Sequence, residues 1–158
     1  MRITIENITN PTNNQKYSLL DTWVSNEGFE CPLVLAYNGT LIEENTEIEN
    51  GTILLHNDPT DRDDFAIYKD ADSYYEQSNS SMSEESIIPI GGFSQTKSAY
   101  CMINGKVVDV QNKDNNIYIN LECNSLVFQA FIENNTDTKI EIGNIVHAVW
   151  WAELVIGE

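Results

Sequence analysis

The chain has 158 residues, which suits one domain of ordinary size, and 41% of them are hydrophobic, enough to form a core. Its 25 acidic and 8 basic residues give a formal net charge of −17, which argues against binding to nucleic acid or anionic lipid, since both attract lysine and arginine. No apolar run approaches a membrane span and the N-terminus does not resemble a signal peptide, so we expect a cytoplasmic protein.

The first residues are predicted to form a strand, because Ile3 and Ile5 alternate with polar positions. Residues 16–29, KYSLLDTWVSNEGF, place their apolar side chains roughly on one side of a helix, and Gly28 stands near the end. This spacing predicts one short helix.

Three Asn-Gly dipeptides, at residues 38–39, 50–51 and 104–105, predict tight β turns, because both central residues of a type I′ turn need positive φ. The stretches CPLVLAY, TLIEENTEI and TILLHN surround the first two dipeptides and are expected to form a three-stranded meander. SAYCMI and KVVDVQ flank the third dipeptide as two further strands.

An acidic, serine-rich segment lies in the middle of the chain. Residues 41–86 contain 13 acidic and 2 basic residues, a net charge of −11. Within it, DADSYYEQ (70–77) predicts one or two helical turns and SNSSMSEES (78–86) predicts a loop. We place a boundary here between an N-terminal β-rich lobe, residues 1–86, and a C-terminal domain, residues 87–158. The alternative of one continuous domain stays open.

The C-terminal part alternates more regularly. IIPIGGF (87–93) predicts a strand that ends in a Gly-Gly bend, and NIYINLEC (116–123) and SLVFQAFIEN (125–134) place apolar residues at every second position. A final apolar run follows the break at Gly143. Successive alternating strands predict a curved antiparallel sheet, closed or nearly closed.

Residues 98–157 resemble an OB-type barrel. The stretches INGKVVDVQ, YINLEC, LVFQAFI and EIGNIVHAVWWAELVIG carry this likeness, which is shared with the C-terminal part of uncharacterised bacterial proteins of similar size. The fold class predicted is therefore mainly β, of the α+β type: an antiparallel OB-like β-barrel preceded by a smaller strand-rich lobe with one or two short helices. OB barrels often bind oligonucleotides or oligosaccharides. The acidic composition of this region and its scattered lysines argue against a nucleic-acid role.

Motifs for catalysis and for metal binding are not found in the sequence. HNDPTDRDD (56–64) has the wrong spacing for an EF-hand loop, no G-x-S-x-G motif occurs, and IGGFSQTKS lacks the spacing of a phosphate-binding loop. His147 lies within an apolar strand and His56 at a strand end, where it is a surface residue or an ion-pair partner for Asp58. We predict a protein that is not an enzyme and has neither a metal nor a cofactor.

The three cysteines, Cys31, Cys101 and Cys123, form no C-x-x-C pair and are expected to be buried, reduced thiols. Trp150 and Trp151 are neighbours on one strand, so their side chains point to opposite faces and one of them belongs to the core.

The concentrated negative charge predicts a non-catalytic acidic module that binds and occludes a basic protein partner, as immunity proteins do with nuclease toxins. The residues expected to bind the partner are Asp58, Asp61, Asp63, Asp64, Phe65, Asp70, Asp72, Tyr74, Tyr75 and Glu76. The alternative is a β-barrel module for a small molecule or an oligosaccharide, with an aromatic strand face near Tyr118, Phe131 and one of the paired tryptophans.

Overall fold

A computed structural model describes residues 1–11, 16–39, 42–57, 65–93, 96–133 and 138–156. Its elements are, in chain order, β1 (Arg2–Thr9), β2 (Ser18–Asn26), β3 (Phe29–Tyr37), β4 (Thr46–Ile48), β5 (Gly51–Asn57), β6 (Ala66–Tyr68), α1 (Ala71–Gln77), β7 (Ser86–Ile88), α2 (Ile90–Phe93), β8 (Tyr100–Lys113), β9 (Asn116–Cys123), β10 (Leu126–Glu133) and β11 (Ile145–Ile156). Strands make up 62% of the structure and helices 7%, so the protein is mainly β, as the alternating sequence predicts.

The strands of the described residues join in one sheet of 11 strands. Its order is β4-β1-β2-β3-β11-β5-β10-β9-β8-β7, and β6 adds to β11. Because β8 also pairs with β11, the pairings of β11, β5, β10, β9 and β8 close into a ring. This ring is the feature that positions both surfaces described below.

The sheet is mixed, so the prediction of an antiparallel sheet is only partly right. β5 runs parallel to β10, and β11 meets β3 in a parallel bridge between Glu153 and Ala36. Between β5 and β10 the chain passes through four strands and two helices. A parallel pair needs a long connection of this kind, and no local pattern in the sequence announces it.

Strand β8 disproves the predicted turn at Asn104–Gly105, because both residues lie inside one continuous strand. Its first half pairs with β11 and its second half with β9. A Cβ atom at residue 105 would lie 2.7 Å from Leu121 Cγ and 2.9 Å from the Glu122 carbonyl oxygen. The glycine is therefore required for the close approach of two strands.

The observed tight turns have other sequences. Paired positive φ values occur at Glu27–Gly28, Asp114–Asn115 and Asn124–Ser125, which link β2 to β3, β8 to β9 and β9 to β10. Their φ values suit type I′ turns. The predicted meander around the first two Asn-Gly pairs is wrong, because β3 pairs with β2, β4 with β1, and β5 with β10 and β11.

The predicted helix at residues 16–29 is also wrong, since this segment forms β2, a tight turn and the start of β3. Leu20, Thr22 and Val24 point into the core, while Trp23 is 37% exposed on the other face. Because the inward position between Leu20 and Val24 is occupied by the polar Thr22, the apolar residues of β2 do not alternate regularly in the sequence. Its hydroxyl donates a hydrogen bond of 2.9 Å to the Leu33 carbonyl oxygen, which allows it to be buried.

Other predicted elements are confirmed. α1 spans most of DADSYYEQ, and the apolar positions of β9 and β10 are buried at every second residue. The strand predicted at IIPIGGF is only partly right, because β7 includes Ile87 and Ile88 while Ile90–Phe93 form α2.

One large core collects side chains from both halves of the chain, including Ile5, Leu33, Phe128 and Trp150, each 0 or 1% exposed. Trp150 is thus the core member of the tryptophan pair, as expected. The division between residues 1–86 and 87–158 falls within β7 and stays a prediction about how the chain is organised.

Cys31, Cys101 and Cys123 are free and buried, which confirms the expectation for the thiols. Desolvation raises the pKa of Cys31 to about 11 and the pKa of Cys101 and Cys123 to about 12, from 9.0. The reactive thiolate is therefore suppressed at neutral pH. We predict that 5,5′-dithiobis(2-nitrobenzoate) at pH 8 reacts with these thiols only after urea unfolds the chain.

The same pKa shifts give a pH dependence of stability. An unfolded chain ionises its thiols near pH 9.0, whereas the folded chain keeps them protonated up to pH values of about 11 to 12. This contribution to the free energy of unfolding is complete below pH 9 and is lost as the pH rises above it. In the labelling experiment described above, a rapid reaction of the folded protein at pH 8 would contradict the burial of the three thiols.

Candidate functional site

The residues predicted to bind a partner fall into three groups according to their position in the structure. One group, outside the described residues, comprises Asp58, Asp61, Asp63 and Asp64. A second group, with internal contacts, comprises Phe65, Asp70 and Tyr74. The third group, exposed on α1, comprises Asp72, Tyr75 and Glu76.

Asp70 is the N-cap of α1. Its Oδ1 accepts a hydrogen bond of 2.8 Å from the backbone N–H of Ser73, and its own backbone is extended. The bond to the Ser73 N–H, more than any other contact, lowers the pKa of this exposed carboxyl. Asp70 therefore fixes where the helix begins, in addition to its negative charge at the surface.

Tyr74 and Tyr75 are neighbours on α1 with opposite environments. Tyr74 is 1% exposed and contacts Tyr68 at a ring-centroid distance of 5.1 Å, whereas Tyr75 is 57% exposed. The surface position expected for Tyr74 is thus not observed, because consecutive helical residues point in directions about 100° apart. Phe65 is half-buried and packs against the main core. Of the three aromatic residues, Tyr75 is the one presented to solvent.

A buried polar network holds the segment after α1 against β8. The Tyr74 hydroxyl donates to the Met82 carbonyl oxygen at 2.7 Å and accepts from Asn104 Nδ2 at 3.0 Å. Asn104 Nδ2 also donates to the Ser83 carbonyl oxygen at 3.0 Å, and its Oδ1 contacts His147 Nδ1. His147 is half-buried, in agreement with a structural histidine. The network orders the serine-rich segment that the sequence pattern predicts as a loop.

A groove of about 390 Å³ lies beside the N-terminus of α1. Its lining residues include three with carboxylates and one cation, namely Asp70, Asp72, Glu84 and Lys106, together with Ala71, Gly143 and Ile145. The loop residue Glu84 approaches α1 because its backbone N–H donates a hydrogen bond of 3.2 Å to the Tyr75 hydroxyl. Sequence reasoning missed Glu84, because nothing in the stretch SEES (83–86) distinguishes it from the adjacent Glu85.

Two exposed apolar side chains belong to residues linked to this groove, Ile142 by sequence and Tyr75 by its hydrogen bond with Glu84. Ile142 is 67% exposed and precedes the groove residue Gly143, which has a φ of +96°. Asn144 holds the turn in place: its Oδ1 accepts from the Glu141 N–H and its Nδ2 donates to the Lys69 carbonyl oxygen. The groove and the residues next to it thus provide three carboxylates and two exposed apolar side chains, Tyr75 and Ile142.

Ion pairs within the described residues neutralise little of the negative charge. Arg2 pairs with Glu47 at 2.7 Å, Lys97 with Asp21 at 2.6 Å, and His56 lies 3.1 Å from Glu153. The expected pairing of His56 with Asp58 concerns a residue outside the described ranges. Most described carboxylates are therefore directed to solvent.

A second surface of interest lies on the outer face of the ring. Tyr118 and Phe131 are paired in register on β9 and β10, with ring centroids 5.2 Å apart. Trp151 lies on the same outer face and contacts Tyr17 and Tyr100 at 5.2 and 5.0 Å. The aromatic strand face expected near these residues thus involves Trp151 and excludes the buried Trp150.

Within the described residues no group of three His, Cys, Asp or Glu side chains could hold a metal ion. Neither of the two helices in the same ranges is long and apolar enough to cross a membrane. The chain matches no protein-family model, and no curated protein or solved structure shows significant similarity to it.

Proposed function

We propose that the protein is a non-catalytic acidic module, without a cofactor, that binds a basic protein and blocks its functional surface, as an inhibitor or an immunity protein against a nuclease toxin does. The observation that carries this proposal is the groove of Asp70, Asp72 and Glu84, with the exposed Tyr75 bonded to Glu84 and the exposed Ile142 next in sequence to the groove residue Gly143. A lysine or arginine of the partner is expected to pair with these three carboxylates, which outnumber Lys106, the one cation among the described lining residues. The two apolar groups provide area from which water is excluded.

Charge and apolar contacts have different roles in this proposal. A net charge of −17 speeds the encounter with a cationic partner by factors of roughly 10 to 10³ at low salt. Rim carboxylates add little to the affinity itself, because water and salt screen them. The affinity comes from buried anchors, and Tyr is enriched among such residues. Tyr75 is therefore expected to set the lifetime of the complex and the carboxylates its rate of formation.

The proposed setting is the cytoplasm, where free thiols such as the three buried cysteines persist. In this setting the module does not bind nucleic acid or membranes. A basic toxin or nuclease has an active site that attracts phosphate, and carboxylates at the groove compete for that site.

We also propose that the ring of β11, β5, β10, β9 and β8 is the OB-like barrel expected from residues 98–157, with β5 contributed by the N-terminal half of the chain. The closed series of strand pairings supports this assignment. An experimental structure in which β8 and β11 are separated would contradict it.

The function is tested by capturing a partner from the cationic protein fraction of the native host and measuring its binding kinetics. One dominant basic protein is expected, with an association rate that falls steeply as NaCl rises from low to physiological concentration. The double variant Asp72→Asn/Glu84→Gln is expected to lower the association rate about tenfold at low salt. Tyr75→Ala is expected to raise the dissociation rate by a factor of ten or more, which corresponds to about 1.4 kcal/mol or more.

The control variant is Glu6→Gln/Glu30→Gln, which removes the same charge from exposed positions of β1 and β3. It is expected to change the association rate by no more than about twofold, since carboxylates outside the contact region attract the partner only through screened long-range forces. Failure to retain any basic protein, or equal effects of the two double variants, would contradict binding at the groove.

A further inference from the structure

A continuous row of aromatic side chains crosses the outer face of the ring, on a surface separate from the acidic groove. The strand registers align its members: Tyr118 pairs with Phe131, Phe131 pairs with His56, and Trp151 pairs with Tyr100. Leu55 pairs with Ala152, so the antiparallel register places His56 beside Trp151 at the next position. The row therefore runs over β9, β10, β5 and β11, with ring contacts from Tyr118 to His56 and from Trp151 to Tyr100.

The rings contact one another along the row. The centroid distances are 5.2 Å between Tyr118 and Phe131, 6.2 Å between Phe131 and His56, and 5.0 Å between Trp151 and Tyr100. His56 is held in the row by Glu153, whose Oε2 lies 3.1 Å from His56 Nε2. From Trp151 to Tyr118 the row covers three inter-strand spacings of about 4.8 Å, hence about 14 Å.

These side chains are not core residues. Tyr118 is 41% exposed and Tyr100 is 48% exposed, while Phe131 and Trp151 are half-buried. The inward-facing positions of the same strands are already filled, for example by Ile119 and Ala130. Trp151 packs in part against a second hydrophobic cluster that contains Leu19 and Val34, whereas core packing gives no reason for the exposed Tyr118.

A cleft adjoins each end of the row. At the Trp151 end, a cleft of about 170 Å³ is lined by Tyr17, Tyr37, Glu153, Lys16 and Asn38. At the Tyr118 end, a cleft of about 250 Å³ is lined by the polar side chains of Gln111, Asn120, Gln129 and Asp109. Three of these four are amides, each of which can donate and accept hydrogen bonds at the same time.

We propose that this row and its two clefts bind a neutral oligosaccharide. A pyranose ring presents C–H groups on its faces and hydroxyl groups at its edge. The C–H groups contact an aromatic ring as the positive edge of another ring does, and amides and carboxylates bind the hydroxyls in pairs. Aromatic surfaces with a few convergent polar groups are typical of small-ligand sites.

The charges of the site select a neutral ligand. Among the described lining residues of the two clefts, Lys16 is the one cation; it shares its cleft with the carboxylate of Glu153, and the other cleft contains the carboxylate of Asp109. Single-stranded nucleic acid would also stack on the row, but its phosphates need lysines or arginines, and the protein's net charge repels them. A polyhydroxyl chain without charge binds without these penalties.

The test uses maltotetraose, cellotetraose and chitotetraose as neutral probes and trigalacturonate as an anionic one. Binding is followed through the indole N–H signals of the ¹⁵N-labelled protein, assigned with single Trp→Phe variants. At least one neutral tetrasaccharide is expected to shift the Trp151 signal to saturation, with a dissociation constant below about 10 mM. The Trp150 and Trp23 signals are expected to stay in place, because Trp150 is buried and Trp23 lies on β2.

Two variants locate the site at both ends of the row. Tyr118→Ala and Trp151→Ala are each expected to weaken binding of that tetrasaccharide at least tenfold, whereas Trp23→Ala leaves it unchanged. Tyr118 is the safer position, since its exposure lets the variant fold even if Trp151→Ala does not. The absence of any shift, preference for trigalacturonate, or binding that survives Tyr118→Ala would overturn the proposal.

This site is independent of the proposed protein partner. Binding of a neutral tetrasaccharide is expected to be insensitive to NaCl and to Asp72→Asn/Glu84→Gln, whereas capture of a basic protein depends on both. Each proposal can therefore fail without the other.

Discussion

Trp150→Ala is expected to lower the free energy of unfolding by about 3–5 kcal/mol, the range for deleting a buried aromatic side chain. Trp150 is 0% exposed in the main core and lies on β11, the strand that pairs with both β8 and β5. A typical domain has only about 5–15 kcal/mol of stability, so the variant loses a large share of it. Urea unfolding at pH 7, followed by far-UV circular dichroism, measures the change.

Trp23→Ala provides the matched control, because the same side chain is removed from a strand face where it is 37% exposed. Its expected cost is about 1 kcal/mol or less. Similar unfolding midpoints for the two variants would be incompatible with the inward position of Trp150.

Asn104→Ala is expected to cost about 2–3 kcal/mol, since a buried hydrogen-bonding centre is lost without replacement. Asn104 is 0% exposed and contacts Tyr74, Ser83 and His147. Without it, the Ser83 carbonyl oxygen and His147 Nδ1 each lose a buried contact. We also expect faster amide hydrogen exchange across residues 78–86, because this segment loses its attachment to β8.

Asn112→Ala is the control for this prediction, since residue 112 is exposed on the same strand. It is expected to stay within about 0.5 kcal/mol of the native protein. Tyr74→Phe, alone and combined with Asn104→Ala, completes a double-mutant cycle. A coupling energy near zero would show that the two side chains act separately.

Alternation predicts β9 and β10 correctly because each has buried apolar residues at every second position along its whole length. It fails at β2, where Leu19 and Leu20 are both buried against different clusters. Two adjacent buried leucines followed by Trp23 and Val24 also fit a helical period. The distinction between helix and strand there depends on the cluster in which Leu19 packs with Val34 and Ala36, and this cluster forms only in the folded sheet.

Asn-Gly as a turn signal fails for a related reason. At residues 104–105 the amide side chain satisfies a buried network and the glycine permits contact with Leu121. Both requirements come from parts of the chain far away in sequence. The tight turns instead use Glu27–Gly28, Asp114–Asn115 and Asn124–Ser125, of which only the first contains glycine.

Composition reveals the negative charge but not its arrangement. Tyr74 and Tyr75 look alike in sequence, and only the placement of α1 against Tyr68 makes one buried and the other exposed. Glu84 joins Asp72 at the groove through a loop whose path is set by the Tyr74–Asn104 network. By contrast, Tyr118, Phe131 and one tryptophan could be assigned to one strand face from alternation alone, whereas the neighbouring His56 could not, since it comes from the parallel β5.

Strand β11 meets β3, β5, β6 and β8, and all four precede it in the chain. During translation the backbone N–H and C=O groups of β5 and β8 that pair with β11 stay without these partners until residues 145–156 have left the ribosome. Until then, the nascent chain displays open strand edges, which are templates for self-association. Closure of the ring consequently waits for β11, and a stalled or truncated product without β11 is a substrate for chaperones or for aggregation.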